Sequence, residues 1–166
     1  MREISREPQT HEFLIKALRE AGGELLGELE SIRGRDAHRH PEGEWSFAQI
    51  AVHLRDNEQA SLDAVRCISM QRRAVLAACD VAATAMDAPE ASIDLERSAY
   101  QYAYLRRELL HELWSLTSAE WQREGQHPYR GTLSVLQIAR ELHLHDLEHL
   151  WQVRRHRDLL AAGQVR

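Results

Sequence analysis

Two histidines, His145 and His149, lie four residues apart in the segment 131–152. On a helix, residues at this spacing lie one turn apart on the same face, roughly 6 Å along the axis, so both imidazoles can reach one metal ion. They belong to a stripe whose members follow one another at spacings of three and four. The stripe consists of Val135, Ile138, Leu142, His145, His149 and Val153.

A third histidine, His53, lies on the inward face of another predicted helix, beside Ile50 and Leu54. Three neutral imidazoles from two helices form a ligand set for zinc and similar divalent ions, and they leave a coordination position for water. A buried imidazole needs partners for both nitrogens, and a metal ion together with a hydrogen-bond acceptor meets that need. Hydrogen-bonded histidines in a polar core network are the alternative that the spacing leaves open.

Four further polar residues lie near this predicted site. Asn57 and Glu58 follow His53 by about one turn, and we expect ordinary helix packing for them, with support of a metal ligand as the alternative. Arg106 and Tyr102 face the same interior from the third predicted helix. An arginine that extends its charge to solvent and a core tyrosine are expected there, with substrate contact as the alternative.

Neighbours of the histidine pair are predicted to lie outside the core. Asp146 points roughly 100° away from His145 on a helix, so we expect it in solvent or at an interface. Glu148 and His143 are also expected at the surface. The remaining histidines show no arrangement that indicates a site; these are His11, His38, His40, His111 and His156.

The elements that would position these side chains are four long amphipathic helices. The first is expected to begin with Thr10 as its N-cap and to continue to about Gly34. The second begins at a capping box formed by Ser46 and Gln49, whose side chains can each bond the other's backbone N–H. The third covers about 95–117, and the fourth begins at a cap, Thr132 or Ser134, and ends near Leu160.

The predicted fold is all-α, a single domain over residues 1–166 arranged as a four-helix bundle. Its second and third long helices are joined by a helical or irregular connection: a short helix or an extension of the second helix, then a loop around Pro89. Residues 118–131 are predicted to form a polar connection with Trp121 as an anchor. Gly22 and Gly23 indicate a bend or a close helix crossing in the first helix.

Composition limits the classes of function. The chain has 166 residues and a formal net charge of -5, and this acidic balance argues against a nucleic-acid partner. No apolar run approaches the length of a membrane span, and the charged N-terminus lacks the apolar region of a signal peptide, so a cytoplasmic protein is expected. Cys67 and Cys79 are too few for a disulfide framework and are predicted to be small buried apolar residues.

Several motifs, taken in order, resemble the DinB/YfiT-like superfamily over nearly the whole chain. That resemblance implies a four-helix bundle with one histidine on the second helix and two on the last, which correspond to His53, His145 and His149. It implies a bound divalent cation, zinc or nickel, and homodimers formed by helix packing. The motifs are EWSFAQIAVHLRDNE (44–58), RRELLHELWSL (106–116), EWQREGQHPYRGTL (120–133) and HDLEHLWQV (145–153).

The resemblance also implies a metal-dependent enzyme acting on a small molecule. Thiol-dependent transfer with a low-molecular-weight thiol is favoured over metal-assisted hydrolysis, and no catalytic side chain is assigned. The alternative is a non-catalytic, dimeric stress or binding protein whose metal site is structural or vestigial. His127 matches a recurrent position of the family but is given no role. The tryptophans are expected to anchor helix ends or a dimer contact: Trp45, Trp114, Trp121 and Trp151.

Overall fold

The computed structural model describes residues 7–78 and 92–165. Four long helices account for most of this part of the chain and form a four-helix bundle, as predicted. We name them α1 (Glu7–Glu30), α2 (Phe47–Met70), α3 (Leu95–Ser115) and α5 (Val135–Ala161), and a one-turn helix α4 (Ser118–Trp121) lies between the last two. A short 3₁₀ helix, Gly34–His38, precedes α2. α2 packs most extensively against α3, and α1 against α5.

Side chains at the helix starts explain where α2 and α5 begin. Ser46 accepts a hydrogen bond from the backbone N–H of Gln49, and Gln49 bonds back to the Ser46 N–H, so the predicted capping box is confirmed. Ser134, not Thr132, caps α5 through the same kind of box with Gln137. The prediction for α1 was wrong, because the helix begins at Glu7 and Thr10 lies inside it.

The connections contain a small sheet that was not predicted. Strands β1 (Ala74–Val75), β2 (Glu124–His127) and β3 (Gly131–Ser134) form it, with β1 parallel to β2 and β2 antiparallel to β3. Strands of two to four residues are too short to show an alternating pattern in the sequence. The turn between β2 and β3 is closed by His127, whose Nδ1 accepts hydrogen bonds from two backbone N–H groups.

The second long helix therefore does not extend into residues 71–78. α2 ends at Met70, and the guanidinium of Arg123 donates hydrogen bonds to the carbonyl oxygens of Ser69 and Gln71, both at 2.7 Å. These bonds satisfy groups that a helix end leaves without partners. The loop predicted around Pro89 lies outside the described residues, as does Cys79, whereas Cys67 is only half-buried.

The interior consists of two apolar clusters, one at each end of the bundle. One contains Leu18, Leu62, Leu109 and Trp121, and the other contains Leu25, Leu54, Phe47 and Leu150. Trp121 is buried and stacks on His11 at 4.4 Å between ring centroids, so it anchors α4 against α1 as predicted. Trp114 and Trp151 do not anchor helix ends, since their side chains are largely exposed.

At Gly22, α1 approaches α3 so closely that there is no room for a side chain. A Cβ there would lie 2.7 Å from Nη1 of Arg106 and 3.2 Å from the hydroxyl of Tyr102, whereas a Cβ at Gly23 would meet nothing within 4 Å. The predicted close crossing is therefore found at Gly22.

Matched alanine substitutions should separate these two glycines. We expect Gly22→Ala to lower the free energy of unfolding by about 1–3 kcal/mol, because the buried guanidinium cannot move away without losing its hydrogen bonds. Gly23→Ala should raise it by up to about 1 kcal/mol, since alanine is the better helix former. Urea denaturation of both variants measures the difference, and equal effects would contradict the close approach at Gly22.

No helix in residues 7–78 and 92–165 is both long enough and apolar enough to cross a membrane.

Candidate metal centre

The structure brings the three predicted histidines together inside the bundle. Nε2 of His53, on α2, lies 2.8 Å from Nε2 of His145, and Nε2 of His149 lies 3.1 Å from the same atom. One ligand atom from each ring can be chosen so that all three lie within 4.8 Å of one another. His53 is buried, while His145 and His149 are half-buried. The convergence expected from the two helical stripes is therefore present.

Neighbouring amides set the direction in which the rings present their lone pairs. Nδ1 of His149 lies 2.8 Å from Oε1 of Gln152. An amide oxygen only accepts, so Nδ1 carries the proton and Nε2 of His149 holds a free lone pair directed at His145. Nδ2 of Asn57 lies 3.3 Å from Nδ1 of His145. An amide nitrogen only donates, so in this orientation Nδ1 accepts and the proton of the neutral His145 ring lies on Nε2.

This donor arrangement fits a divalent cation. Nε2–H of His145 can donate to the free lone pair on Nε2 of His149 at 3.1 Å, and an ion bound between the two rings would take the place of this proton once His145 carries its proton on Nδ1. Imidazole nitrogens around a tetrahedral zinc ion, each bonded at about 2.0–2.1 Å, lie about 3.3 Å apart, so small ring shifts would admit the ion. The bond from Nδ1 of His149 to Gln152 is the outer hydrogen bond that metal-bound histidines commonly make. A half-turn of the Asn57 amide, which exchanges its nitrogen and oxygen, would give His145 the same bond. These three residues could therefore hold zinc, nickel or a similar ion.

The electrostatic surroundings keep His145 and His149 uncharged at neutral pH. Burial is the main cause that lowers the pKa of His145 to about 3, and the charges of His149, His53 and Arg106 act in the same direction. Burial also lowers the pKa of His149, although its bond to Gln152 opposes this. Neutral imidazoles are the form that binds metal, so at neutral pH no proton has to leave these two rings first.

The lowered pKa of His145 predicts acid sensitivity of the metal-free protein. As the pH falls below 6.5, the ordinary value, the unfolded chain takes up a proton at His145, whereas the folded chain does so only near pH 3. We therefore expect the free energy of unfolding to fall through this window. Urea denaturation at about pH 7.5 and about pH 5.5, with a chelator present, measures the change. The variant His145→Gln should show a weaker pH dependence, and identical dependence in both proteins would contradict the assignment.

Trp45 and a groove on the outside of α5 border the histidines. The Trp45 ring stacks over His149, with centroids 6.4 Å apart and planes 7° apart, and lies 4.8 Å from the His53 ring. The groove has a volume of about 610 Å³, enough for a small molecule. Its lining combines apolar and charged side chains, namely Glu44, Leu144, Leu147, Glu148, His149, Trp151, Gln152 and Arg155.

A buried ionic network lies on the other side of the histidines, and it corrects two predictions. Arg106 is 4% exposed and Asp146 is fully buried, so neither extends into solvent. Nε and Nη2 of Arg106 bond the two carboxylate oxygens of Glu58 at 2.7 and 2.8 Å. Nη1 and Nη2 bond Asp146 at 2.7 and 3.0 Å. Nη1 also donates to the carbonyl oxygen of Leu18 at 2.7 Å.

The network keeps its guanidinium charged. Burial by itself would lower the pKa of Arg106, but the charge of Glu58 is the chief cause that raises it well above its ordinary value. Tyr102 is buried beside it, as predicted, and donates a long hydrogen bond of 3.4 Å to Asp146. Burial raises the pKa of Tyr102, so its hydroxyl stays protonated.

The burial of Asp146 could have been predicted from the sequence. Leu142, Asp146 and Leu150 follow one another at spacings of four, and all three are buried. The core-facing stripe of α5 is therefore wide enough to include Asp146 as well as the two histidines. Among the other histidines, His156 is fully buried and bonds Glu44 at 2.8 Å, away from the three rings. This bond connects the end of α5 to the segment before α2.

The sequence of the chain matches one protein family along most of its length. The model of the DinB superfamily matches residues 14–153, which is most of the chain. The chain belongs to the DinB superfamily. The resemblance stated from the sequence motifs is thereby confirmed, and the matched range contains all three histidines of this DinB-superfamily protein.

Solved structures show the same fold. YfiT from Bacillus subtilis, described as a probable metal-dependent hydrolase with an unusual four-helix bundle topology, superposes with a TM-score of 0.80 at 18% identity, covering 93% of this chain and 89% of YfiT. The four-helix bundle protein TT2238 superposes with a TM-score of 0.63 at 19% identity, covering 87% of this chain and 98% of its own. No functionally curated protein sequence shows significant similarity.

Proposed function

We propose that this DinB-superfamily protein is a divalent-metal-dependent enzyme that acts on a small molecule. The observation that carries the proposal is the convergence of three imidazoles from α2 and α5, with ligand atoms within 4.8 Å of one another. The description of YfiT as a probable metal-dependent hydrolase supports a metal-dependent activity for this fold. We propose zinc or nickel as the ion, because both accept imidazole ligands.

In this proposal each residue around the histidines has a distinct role. His53, His145 and His149 hold the ion, while Asn57 and Gln152 fix the ring orientations through Nδ1. A divalent ion held by three neutral ligands keeps its full charge and lowers the pKa of a bound nucleophile. The Trp45 ring shields the histidines from water on one side, and the groove beside His149 receives the substrate.

Two nucleophiles are candidates, water and a low-molecular-weight thiol. The likeness to YfiT favours water and hence hydrolysis. One observation favours a thiol: three of the carboxylates around the histidines already have partners and are poor candidates for a general base. Glu58 and Asp146 bond Arg106, and Glu44 in the groove bonds Arg155 and His156, which leaves Glu148 as the acid that hydrolysis would have to use. A thiol ionises far more easily than water, so a metal ion can activate it without such a base.

We further propose that the protein is a homodimer that packs through α5. Leu144, Leu147 and Trp151 lie along one face of this helix and are 60%, 44% and 66% exposed. Burying such a stripe against a second copy is favourable. The second copy would then form one wall of the groove. Light scattering on the purified protein should give a mass about twice 19.2 kDa; a monomer at all concentrations would overturn this part of the proposal.

The enzymatic proposal is tested with protein purified without a metal-binding tag. Elemental analysis should find about one zinc or nickel ion per chain. The metal-loaded protein is then assayed with activated esters and amides, and with electrophiles in the presence of small thiols. We expect turnover in one of the two series and its loss in His149→Ala.

Three outcomes distinguish the hypotheses. Turnover without thiol identifies a hydrolase, and turnover only with thiol identifies a transferase. Bound metal without any difference between wild type and His149→Ala in either series would overturn the enzymatic proposal. It would favour the alternative, a non-catalytic binding protein with a structural metal.

A further inference from the structure

The buried network around Arg106 occupies a layer that crosses the whole bundle. The helices α2, α3 and α5 each supply one charged side chain where an apolar stripe would otherwise continue, and α1 supplies the carbonyl oxygen of Leu18. On α2, Glu58 lies between Leu54 and Leu62, four residues from each, and on α5 Asp146 lies between Leu142 and Leu150. The two apolar clusters are thus separated by one polar layer.

Such a layer is a costly way to stabilise a bundle. Two carboxylates and one guanidinium are removed from water, and apolar residues of the same volume would serve stability as well or better. The guanidinium uses Nε, Nη1 and Nη2 in five hydrogen bonds of 2.7 to 3.0 Å. A planar donor group held in this way allows little change in helix spacing.

The helices that Arg106 joins are the helices that carry the histidines. Glu58 directly follows Asn57 on α2, and Asn57 contacts His145. Asp146 directly follows His145 on α5. The distance between α2 and α5 at this level determines whether His53 can approach His145, and the carboxylates bonded to Arg106 hold that distance from both sides.

We infer that Arg106 is a positioning residue for the metal site: it sets the separation of α2 and α5 at which the three imidazoles meet. This inference rests on the metal-dependent site proposed above. Arg106 itself is expected to touch neither the ion nor the substrate.

The test compares Arg106→Lys with Arg66→Lys. Lysine keeps the charge but is a point donor that cannot bond both carboxylates in a planar fork. Arg66 also extends from α2 to α3, where it bonds Glu108 and Glu112, and it is 39% exposed. Arg66→Lys is therefore a matched control that leaves the histidines' surroundings intact.

The probe is Co²⁺, whose visible absorption reports the geometry of its ligands. For Arg106→Lys we expect Co²⁺ affinity about tenfold or more below wild type, together with a changed absorption spectrum at saturating Co²⁺. Arg66→Lys should match wild type in both measurements. Circular dichroism establishes that each variant is folded. If Arg106→Lys does not fold, Glu58→Gln, which has the same shape and touches no histidine, is measured in its place.

The outcomes separate this inference from the proposed function. Wild-type protein that binds no Co²⁺ would overturn the metal site and the inference with it. Wild-type protein that binds Co²⁺, with a folded Arg106 or Glu58 variant of the same affinity and spectrum, would overturn the inference alone. A variant with lower stability but an unchanged spectrum would likewise show that the network is only structural.

Discussion

Replacing Arg106 with methionine is expected to lower the free energy of unfolding by about 3–5 kcal/mol. Methionine fills much of the space but leaves the carboxylates of Glu58 and Asp146 buried without a counter-charge. Urea denaturation followed by circular dichroism measures the loss. The control Arg66→Met removes a guanidinium that is 39% exposed, and it should cost less than about 1 kcal/mol.

A second variant identifies the cause of that loss. If unpaired charge is responsible, then adding Glu58→Gln and Asp146→Asn to Arg106→Met should restore part of the stability, because no ionised group remains in the layer. If lost packing were responsible, the triple variant would be no more stable than Arg106→Met. Equal losses for Arg106→Met and Arg66→Met would contradict the role of burial altogether.

Removing one imidazole by His149→Ala is expected to lower the affinity for Zn²⁺ by more than about 100-fold, since even outer partners of a ligand contribute 10–100-fold. Competition with a chromophoric chelator measures the affinity. Metal binding also raises the stability of the wild-type protein, by about 2.7 kcal/mol when the free ion is at 100 times Kd. His149→Ala should lose this rise at the same zinc concentration.

The control for His149→Ala comes from the same helix. His143 is half-buried on α5, and it lies outside the group formed by His53, His145 and His149. His143→Ala should therefore bind Zn²⁺ as wild type does. If both variants lose affinity equally, or if His149→Ala keeps it, the three-histidine site is wrong.

Local and periodic features of the sequence were sufficient for the fold class. Helices show their inward faces at spacings of three and four, so the four long helices and the stripe through His145 and His149 could be found without a structure. Capping boxes are equally local, which is why the one at Ser46 was predicted in detail. The start of α1 was placed too late, because Pro8 is compatible with the first turn of a helix and does not mark a position before it.

Pairings between distant parts of the chain could not be derived in this way. Arg106 meets Glu58 and Asp146 across 48 and 40 residues, and no local pattern records such a contact. Arg106 was expected to extend its charge from the interior to solvent, and Asp146 was placed outside the core because it points roughly 100° away from His145 on the helix. Both residues can be buried because the facing helices supply the opposite charge, and only the structure shows these ion pairs.

The sequence by itself determined the helical class, the family and the three histidines that face the interior, because these depend on periodicity and on motifs close together in the chain. Only the tertiary structure decided that the three Nε2 atoms converge, which amides orient two of the rings, and that an ionic layer joins the helices behind them. It also revealed the short strands. Each of these depends on the distance between elements far apart in sequence, which is set by the packing of the whole bundle.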